Sequence, residues 1–139
     1  MNRFVLDASV ALGWFVDHPI SSYAGLVRQR LQDGFGAVVP WLWHLEMANG
    51  LAVAERRGVL AADDIVRSLN NIELLLQHAI TTSNDFHAIG DALNTAREFG
   101  LSAYDAVYLD SARRERLPLA TLDRPLRNAA NRAGVELLR

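Results

Sequence analysis

Short apolar runs alternate along this chain with longer segments of helical periodicity, and that alternation limits the folds open to it. Apolar runs predict strands at residues 3–6, 37–39, 78–82, 118–122 and 135–137. Helical patterns between them predict helices at 7–15, 21–32, 41–57, 62–76, 86–99, 102–114 and 124–133. Short buried strands separated by helices are typical of parallel sheets. The sequence therefore predicts an α/β fold in which a parallel β-sheet is flanked by helices on both faces.

The predicted helix at 86–99 has a regular apolar stripe, formed by Phe86, Ile89, Leu93 and Ala96. Its first residue follows Asp85, which is a favoured helix cap. The stripe predicts the face that packs on the core. The opposite stripe is predicted to face solvent and consists of His87, Asp91, Asn94 and Glu98.

Length and cysteine content restrict the class of protein. The 139 residues show no repeat or linker, so a single domain spanning residues 1–139 is expected. The absence of cysteine excludes disulfides, zinc–thiolate sites and cysteine nucleophiles. No apolar run approaches the roughly 20 residues that cross a bilayer, and Asp7 interrupts the N-terminus too early for a signal peptide. These features predict a cytoplasmic protein without membrane association.

The charge distribution is uneven along the chain. The net charge of −2 argues against a large basic surface for nucleic acid. Residues 1–96 carry six Arg and ten acidic residues, whereas residues 97–139 carry eight Arg and six acidic residues. Every basic residue is Arg, whose planar guanidinium binds phosphate in a bidentate manner. The C-terminal part could therefore hold an RNA backbone, and an ordinary solvated helix face is the alternative.

Two predicted strands are each followed directly by an aspartate. Asp7 follows the run at 3–6, and Asp123 follows Leu122 at the end of the run at 118–122. Each residue could simply cap the helix that comes next. Ligands of parallel sheets, however, bind beyond the carboxyl ends of the strands, where both residues fall. Two strands that end in Asp predict a shared acidic cleft.

A third acid, Glu46, lies inside the helix predicted at 41–57. Leu42, Trp43 and Val53 share its face, which predicts that the side chain points inward. Gly50, one turn later, is unfavourable within a helix by roughly 0.8–1 kcal/mol relative to Ala. Close approach of another backbone or of a ligand would explain this glycine. A partly exposed glutamate is the alternative.

A fourth acid, Asp105, lies on an apolar helix face. Its helical neighbours are Leu101, Tyr108, Leu109 and Ala112, and no Arg lies three or four residues away on either side. A buried carboxylate without a partner is very costly, so it is expected to be neutralised, paired or bound to a metal. An Arg from elsewhere in the chain remains a possible partner.

Several carboxylates in one cleft repel each other and call for a cation. Ligand sets made only of oxygen favour Mg²⁺ or Mn²⁺ over zinc. Such ions activate water for attack on a phosphodiester. Ser9 and Thr121, each two residues from an Asp, are placed to orient the carboxylates or a water from a second layer.

Four sequence blocks resemble the motifs of PIN-domain nucleases, and in particular those of VapC-type toxins from bacterial toxin–antitoxin pairs. They are VLDASV at 5–10, LEMANGL at 45–51, LSAYDAVYL at 101–109 and ATLDRPL at 120–126. Their order and spacing cover nearly the whole chain. A single block of this kind is weak evidence for the resemblance, whereas four blocks in the same order are strong evidence for it.

This resemblance implies a PIN fold and cleavage of RNA that depends on Mg²⁺ or Mn²⁺. By position, Asp7 and Asp105 match the principal metal ligands of the family. Glu46 and Asp123 match the other two acids, which help to bind metal or hold the attacking water. The resemblance also implies a homodimer and a small antitoxin protein as partner.

The placement of the tryptophans adds to the partner prediction. All three, Trp14, Trp41 and Trp43, fall in the first third of the chain. Exposed aromatic residues mark interaction sites, which predicts an apolar groove for an inhibitor that also donates an Arg to the acids. Burial of all three rings in the core is the alternative.

Other protein classes fit the sequence less well. A receiver domain needs an acidic pair near the first strand and a late Lys, and a haloacid-dehalogenase-like phosphatase needs Asp where Ser9 stands. No glycine-rich nucleotide motif is present. The remaining alternative is a catalytically silent PIN-fold module that binds or regulates.

Overall fold

The computed structural model describes residues 2–86 and 88–139. His87, predicted on the solvent face of the helix at 86–99, lies outside the described residues. No helix in the described part of the chain is long and apolar enough to span a membrane. In chain order the elements are β1 (Arg3–Leu6), α1 (Ala8–Val16), α2 (Ser22–Gln32), β2 (Gly36–Val39), α3 (Trp41–Arg56), α4 (Ala62–His78), β3 (Ile80–Thr82), α5 (Ile89–Phe99), α6 (Ala103–Glu115), β4 (Leu119–Ala120) and α7 (Arg124–Ala133).

The four strands form one sheet in the order β3-β2-β1-β4, and every pair is parallel. Parallel strands require crossover connections, which the helices supply. The central strand β1 is completely buried at Phe4, Val5 and Leu6, as expected for a strand covered on both faces. The predicted α/β fold with a helix-flanked parallel sheet is confirmed.

The register of β1 and β4 fixes the edge where the strands end. Leu6 is opposite Ala120, and the Asp7 amide donates to the Ala120 carbonyl at 2.9 Å. Asp7 and Thr121 therefore leave the sheet side by side. The carboxyl ends of β2 and β3 lie at the same edge because all four strands run in one direction.

The helix predicted at 86–99 begins three residues later than expected. Its cap is Ala88, without a side-chain hydrogen bond, and Asp85 instead forms a salt bridge with Arg114 of α6 at 3.0 Å. Phe86 and Ile89, predicted to be buried, are 87% and 88% exposed. Thr95 and Phe99 are the buried residues of α5. The buried face predicted from the apolar stripe is therefore wrong, because α5 packs on α6 through a different face.

The prediction of a strand at 135–137 is also wrong, because this segment does not form a strand of the sheet. Only an isolated bridge joins Leu137 to Leu119. Two hydrogen bonds of 2.9 Å flank it, from Leu119 N to the Glu136 carbonyl and from Leu138 N to the Leu119 carbonyl. Because β4 has only two residues, no longer ladder can form beside it.

Candidate active site

Four acidic side chains line one cavity of about 280 Å³ at the carboxyl edge of the sheet. They come from the end of β1, from α3, from α6 and from the residue before α7, and they are Asp7, Glu46, Asp105 and Asp123. Ser9, Leu12, Asn49 and Gly50 line the same cavity. The structure thus brings together all four acids that the sequence singled out.

Asp7 is held by two hydroxyl groups. Its Oδ2 atom accepts a hydrogen bond from Ser9 Oγ at 2.6 Å and from Thr121 Oγ1 at 2.7 Å. Asp7 stands at the cap position of α1, but its side chain makes no capping bond. The side chain is nearly buried, at 4% exposure, and burial raises the pKa of its carboxyl against the lowering effect of the two hydroxyls. The capping interpretation of this side chain is therefore wrong.

The same two hydroxyls also fix the backbone on the far side of the cavity. Ser9 Oγ accepts from the Leu122 amide at 3.0 Å, and Thr121 Oγ1 accepts from the Asp123 amide at 3.0 Å. Ser9 and Thr121 therefore connect α1 to the segment after β4 while orienting Asp7. Their predicted role in a second layer around a metal or a water stays a prediction.

Glu46 is half-buried and is oriented by a tyrosine of α6. The hydroxyl of Tyr108 donates to Glu46 Oε1 at 2.6 Å, and Tyr108 is fully buried. Burial raises the pKa of Glu46, the hydrogen bond from Tyr108 lowers it, and the nearby Asp7 raises it again. The pKa of Tyr108 is raised, mainly by burial, so the phenol remains a donor.

Gly50 is explained by close packing between α1 and α3. A Cβ atom at this position would come within 2.5 Å of both Cδ atoms of Leu12. The close approach predicted from the sequence therefore comes from a side chain of α1, and not from a backbone. It brings α3, with Glu46 and Asn49, against the helix that follows Asp7.

Asp105 lies in the first turn of α6, three residues after the Ser102 cap. Ser102 Oγ accepts from the Asp105 amide at 3.1 Å. Burial raises the pKa of Asp105 to about 7, together with the charges of Asp123 and Asp7, a hydrogen bond to Asp123 and the charge of Glu46. The raised pKa is a direct consequence of acids that share one cavity.

The carboxyl group of Asp123 both caps a helix and lines the cavity. Its Oδ2 accepts from the Leu126 amide at 3.0 Å, so the capping role considered for this residue is present. The same carboxyl lines the acidic cavity and raises the pKa of Asp105.

No basic side chain neutralises these acids in the described part of the chain. The salt bridges there join Arg3 to Glu115, Arg30 to Asp33, Arg67 to Asp64 and Arg114 to Asp85. Within residues 2–86 and 88–139, no three or more His, Cys, Asp or Glu side chains are arranged so that they could hold a metal ion by themselves, as an all-protein cage does. Mg²⁺ rarely uses such a cage and is usually bound by one or two carboxylates, several waters and substrate phosphates. The donor set fits that ion.

Two residues at the site, one that contacts Glu46 and one that lines the cavity, were not assigned a role from the sequence. Tyr108 lies three residues after Asp105 on the same helix face, and it was interpreted only as core. Asn49 lies three residues after Glu46 and lines the cavity. Their helical spacing from predicted acids was the available indication.

Comparisons with known proteins agree with this architecture. The family model described as "PIN domain" matches residues 4–132. A solved structure, PAE2754 from Pyrobaculum aerophilum, matches with 26% identity and a TM-score of 0.64, covering 92% of this chain and 86% of its own. No curated protein sequence matches significantly.

We predict that the metal-free protein loses stability as the pH rises from about 4 to 7. The folded-state pKa of Asp105 is raised from 3.8 to about 7, so the folded chain retains a proton that the unfolded chain releases. Asp105→Asn should remove much of this slope. Melting temperatures in a chelator across pH 4–8 measure it, with exposed Asp91→Asn as the matched control. An equal slope in wild type and Asp105→Asn would contradict the electrostatic account.

Proposed function

This chain belongs to the PIN domain family, and we propose that it is an endoribonuclease dependent on Mg²⁺ or Mn²⁺. PIN domains are generally nucleases. The observation that carries the proposal is a set of four carboxylates in one cavity with no basic partner among the described residues. Such a site requires a cation, and a cation beside acids suits phosphodiester hydrolysis.

In this proposal Asp7 and Asp105 are the principal metal ligands, while Glu46 and Asp123 help to bind metal or hold the attacking water. A bound Mg²⁺ or Mn²⁺ would activate that water and stabilise charge on the phosphate. Ser9 and Thr121 keep Asp7 in one orientation. Tyr108 does the same for Glu46, which leaves its other oxygen to accept a proton from water.

We further propose that the protein is the toxin of a toxin–antitoxin pair, acting in the cytoplasm. A groove between α1, α2 and α4 supports a small protein partner. It has a volume of about 490 Å³ and is lined by apolar side chains that include Trp14, Phe15, Leu31, Leu74 and Leu75. The three tryptophans are neither all exposed nor all buried. Trp43 is buried, Trp14 is half-buried and Trp41 is 68% exposed.

A homodimer is the proposed assembly. Trp41 and Leu45 on α3 are 68% and 72% exposed, and the exposed Ala48 and Ala52 continue their stripe at spacings of four, three and four residues. That periodicity is typical of a helix face that packs on another helix. A second copy of the chain would cover it.

The competing proposal is a catalytically silent PIN-fold module. The two differ in one respect, because only the enzyme cleaves RNA in a manner that depends on metal and on Asp7.

We predict that Asp7→Asn lowers RNA cleavage by more than about a hundredfold while the fold survives. Loss of even a supporting group near a metal costs roughly 10–100-fold in activity. Asp105→Asn should lower RNA cleavage to a similar extent and should also leave the fold intact. Asp91→Asn is the matched control, because Asp91 is exposed in the first turn of α5 and does not line the cavity. Full activity of both Asp7→Asn and Asp105→Asn on purified RNA would falsify the metal-site assignment.

We predict that Mg²⁺ or Mn²⁺ stabilises the folded chain. At about 100 times the dissociation constant, a ligand of the native state alone adds roughly 2.7 kcal/mol. For a domain of this size that raises the melting temperature by roughly 5–10 °C. Asp105→Asn should show a smaller rise than wild type. Unchanged melting curves for wild type at saturating metal would mean that the four acids do not bind a cation together.

We predict that expression without a neighbouring partner arrests growth and that expression of Asp7→Asn does not. Co-expression of the adjacent small gene should restore growth, and its product should co-purify. Growth curves and transcript-end mapping after brief induction provide the measurement. Harmless expression of an active, folded enzyme would remove the toxin proposal and leave the ribonuclease proposal standing.

A further inference from the structure

One face of α7 carries only hydrogen-bond donors and amides. Arg124, Arg127, Asn128 and Asn131 follow one another at the i, i+3, i+4, i+7 spacing of a single helix face. Arg124, Asn128 and Asn131 are exposed, and Arg127 is half-buried. In the described part of the chain, none of these arginines forms a salt bridge. The face begins one residue after Asp123, so it leads directly away from the acidic cavity.

This face forms one wall of a groove, which we call the α7 groove. The groove has a volume of about 560 Å³, and Tyr23 of α2, Leu122 and Leu137 complete its lining. Among the residues that the structure describes, no carboxylate lines it. A second concavity, of about 810 Å³, shares Tyr23, Arg127 and Asn131 with the groove and is also lined by Arg30, Arg139 and one acid, Glu136. Leu122 and Arg124 of the groove flank Asp123 of the acidic cavity in the sequence, and the second concavity reaches the C-terminal residue of the described chain.

The inner wall of the groove is already ordered. Arg127 Nη1 donates to the Thr121 carbonyl at 2.6 Å, and its guanidinium carbon lies 4.7 Å from the centre of the Tyr23 ring. Tyr23 in turn donates from its hydroxyl to the Leu138 carbonyl at 2.9 Å. These contacts fix Arg127 while leaving its other N–H groups for a ligand.

An anionic substrate needs such a surface beside this cavity. Four carboxylates repel a phosphodiester, and the chain as a whole carries a net charge of −2. A basic face adjoining the acids supplies local attraction where the strand enters or leaves. Guanidinium and amide donors suit phosphate oxygens, and Tyr23 with Leu122 offers an apolar floor for a base or ribose.

We propose that the α7 groove binds the single-stranded RNA that flanks the scissile phosphate, with Arg124 and Arg127 on its phosphates and Asn128 and Asn131 on phosphate or ribose. This inference rests on the proposed ribonuclease function and identifies the surface that would bind the RNA substrate beside the cleaved bond. Contacts to the backbone carry no base specificity, so the groove contributes affinity and register.

The binding test uses the cleavage-deficient Asp7→Asn chain and a labelled single-stranded RNA oligonucleotide. Arg124→Gln and Asn128→Asp should each weaken binding roughly tenfold at low salt and for every oligonucleotide sequence. Arg124→Gln should also reduce the slope of log K against log salt by about 0.7, the value for one phosphate contact on a single strand. Arg124→Lys should restore most of that slope. Melting curves verify that each variant is folded.

Arg57→Gln is the matched control for loss of one arginine charge. Arg57 is exposed and lies about 16 Å from Glu46 along the axis of α3, at 1.5 Å per residue. Its removal should change neither RNA affinity nor the salt slope. Equal effects of Arg57→Gln and Arg124→Gln would mean that RNA affinity depends only on the total charge of the protein. That result would overturn the proposal.

The cleavage test uses the chain with Asp7 intact. Arg124→Gln should raise KM with little change in kcat, because it removes binding shared by the ground state and the transition state. If wild type cleaves RNA and the groove variants match Arg57→Gln, the groove proposal fails and the ribonuclease stands. If the variants instead lose affinity only for an acidic protein partner, the groove is a protein site and the proposal fails. If wild type neither binds nor cleaves RNA, both proposals fail.

Discussion

The pairing of β1 with β4 over two residues fixes how Asp7, Thr121 and Asp123 lie relative to one another at the acidic cavity. Leu6 opposite Ala120 sets Asp7 beside Thr121, and the hydrogen bond between those two side chains measures 2.7 Å. A shift of one residue would turn Thr121 away and send the buried side chains of β4 to the wrong face. The buried apolar residues of both strands prevent that shift. The hydrophobic core therefore specifies the geometry of the polar site that lies at its edge.

Three of the four acids in the cavity each accept a hydrogen bond from a different kind of donor, and these bonds help mutually repelling groups to remain close. Hydroxyls bind Asp7, a buried phenol binds Glu46, and the amide of Leu126 binds Asp123. Asp105 has no comparable donor among the described residues, and its pKa is the one raised to about 7. Burial and the charges of the neighbouring carboxylates both favour the protonated form of this acid, and a bound cation would favour the charged form instead.

Sequence periodicity was sufficient for the four strands of the sheet and for most helices, because buried parallel strands and caps leave strong local patterns, although it also predicted a fifth strand at 135–137 that is only a bridge. It failed where tertiary contacts decided between two faces. Phe86 and Ile89 formed a plausible apolar stripe, yet α5 packs through Thr95 and Phe99. The four acids were identifiable because each stands after a strand or on an apolar face. The bond from Tyr108 to Glu46 joins residues 62 positions apart, and no local pattern records it.

Thr121 connects the acidic cavity to the basic face of α7 through opposite ends of one residue. Its hydroxyl donates to Asp7, whereas its carbonyl accepts from Arg127 at 2.6 Å. Tension on Arg127 from a bound phosphate would therefore act on the residue that orients a proposed metal ligand. The two sites share a short, buried segment with little freedom to move separately, since Thr121 is fully buried. If the α7 groove holds the substrate as proposed, a ligand on Arg127 and the orientation of the Asp7 carboxylate would be linked through this one residue.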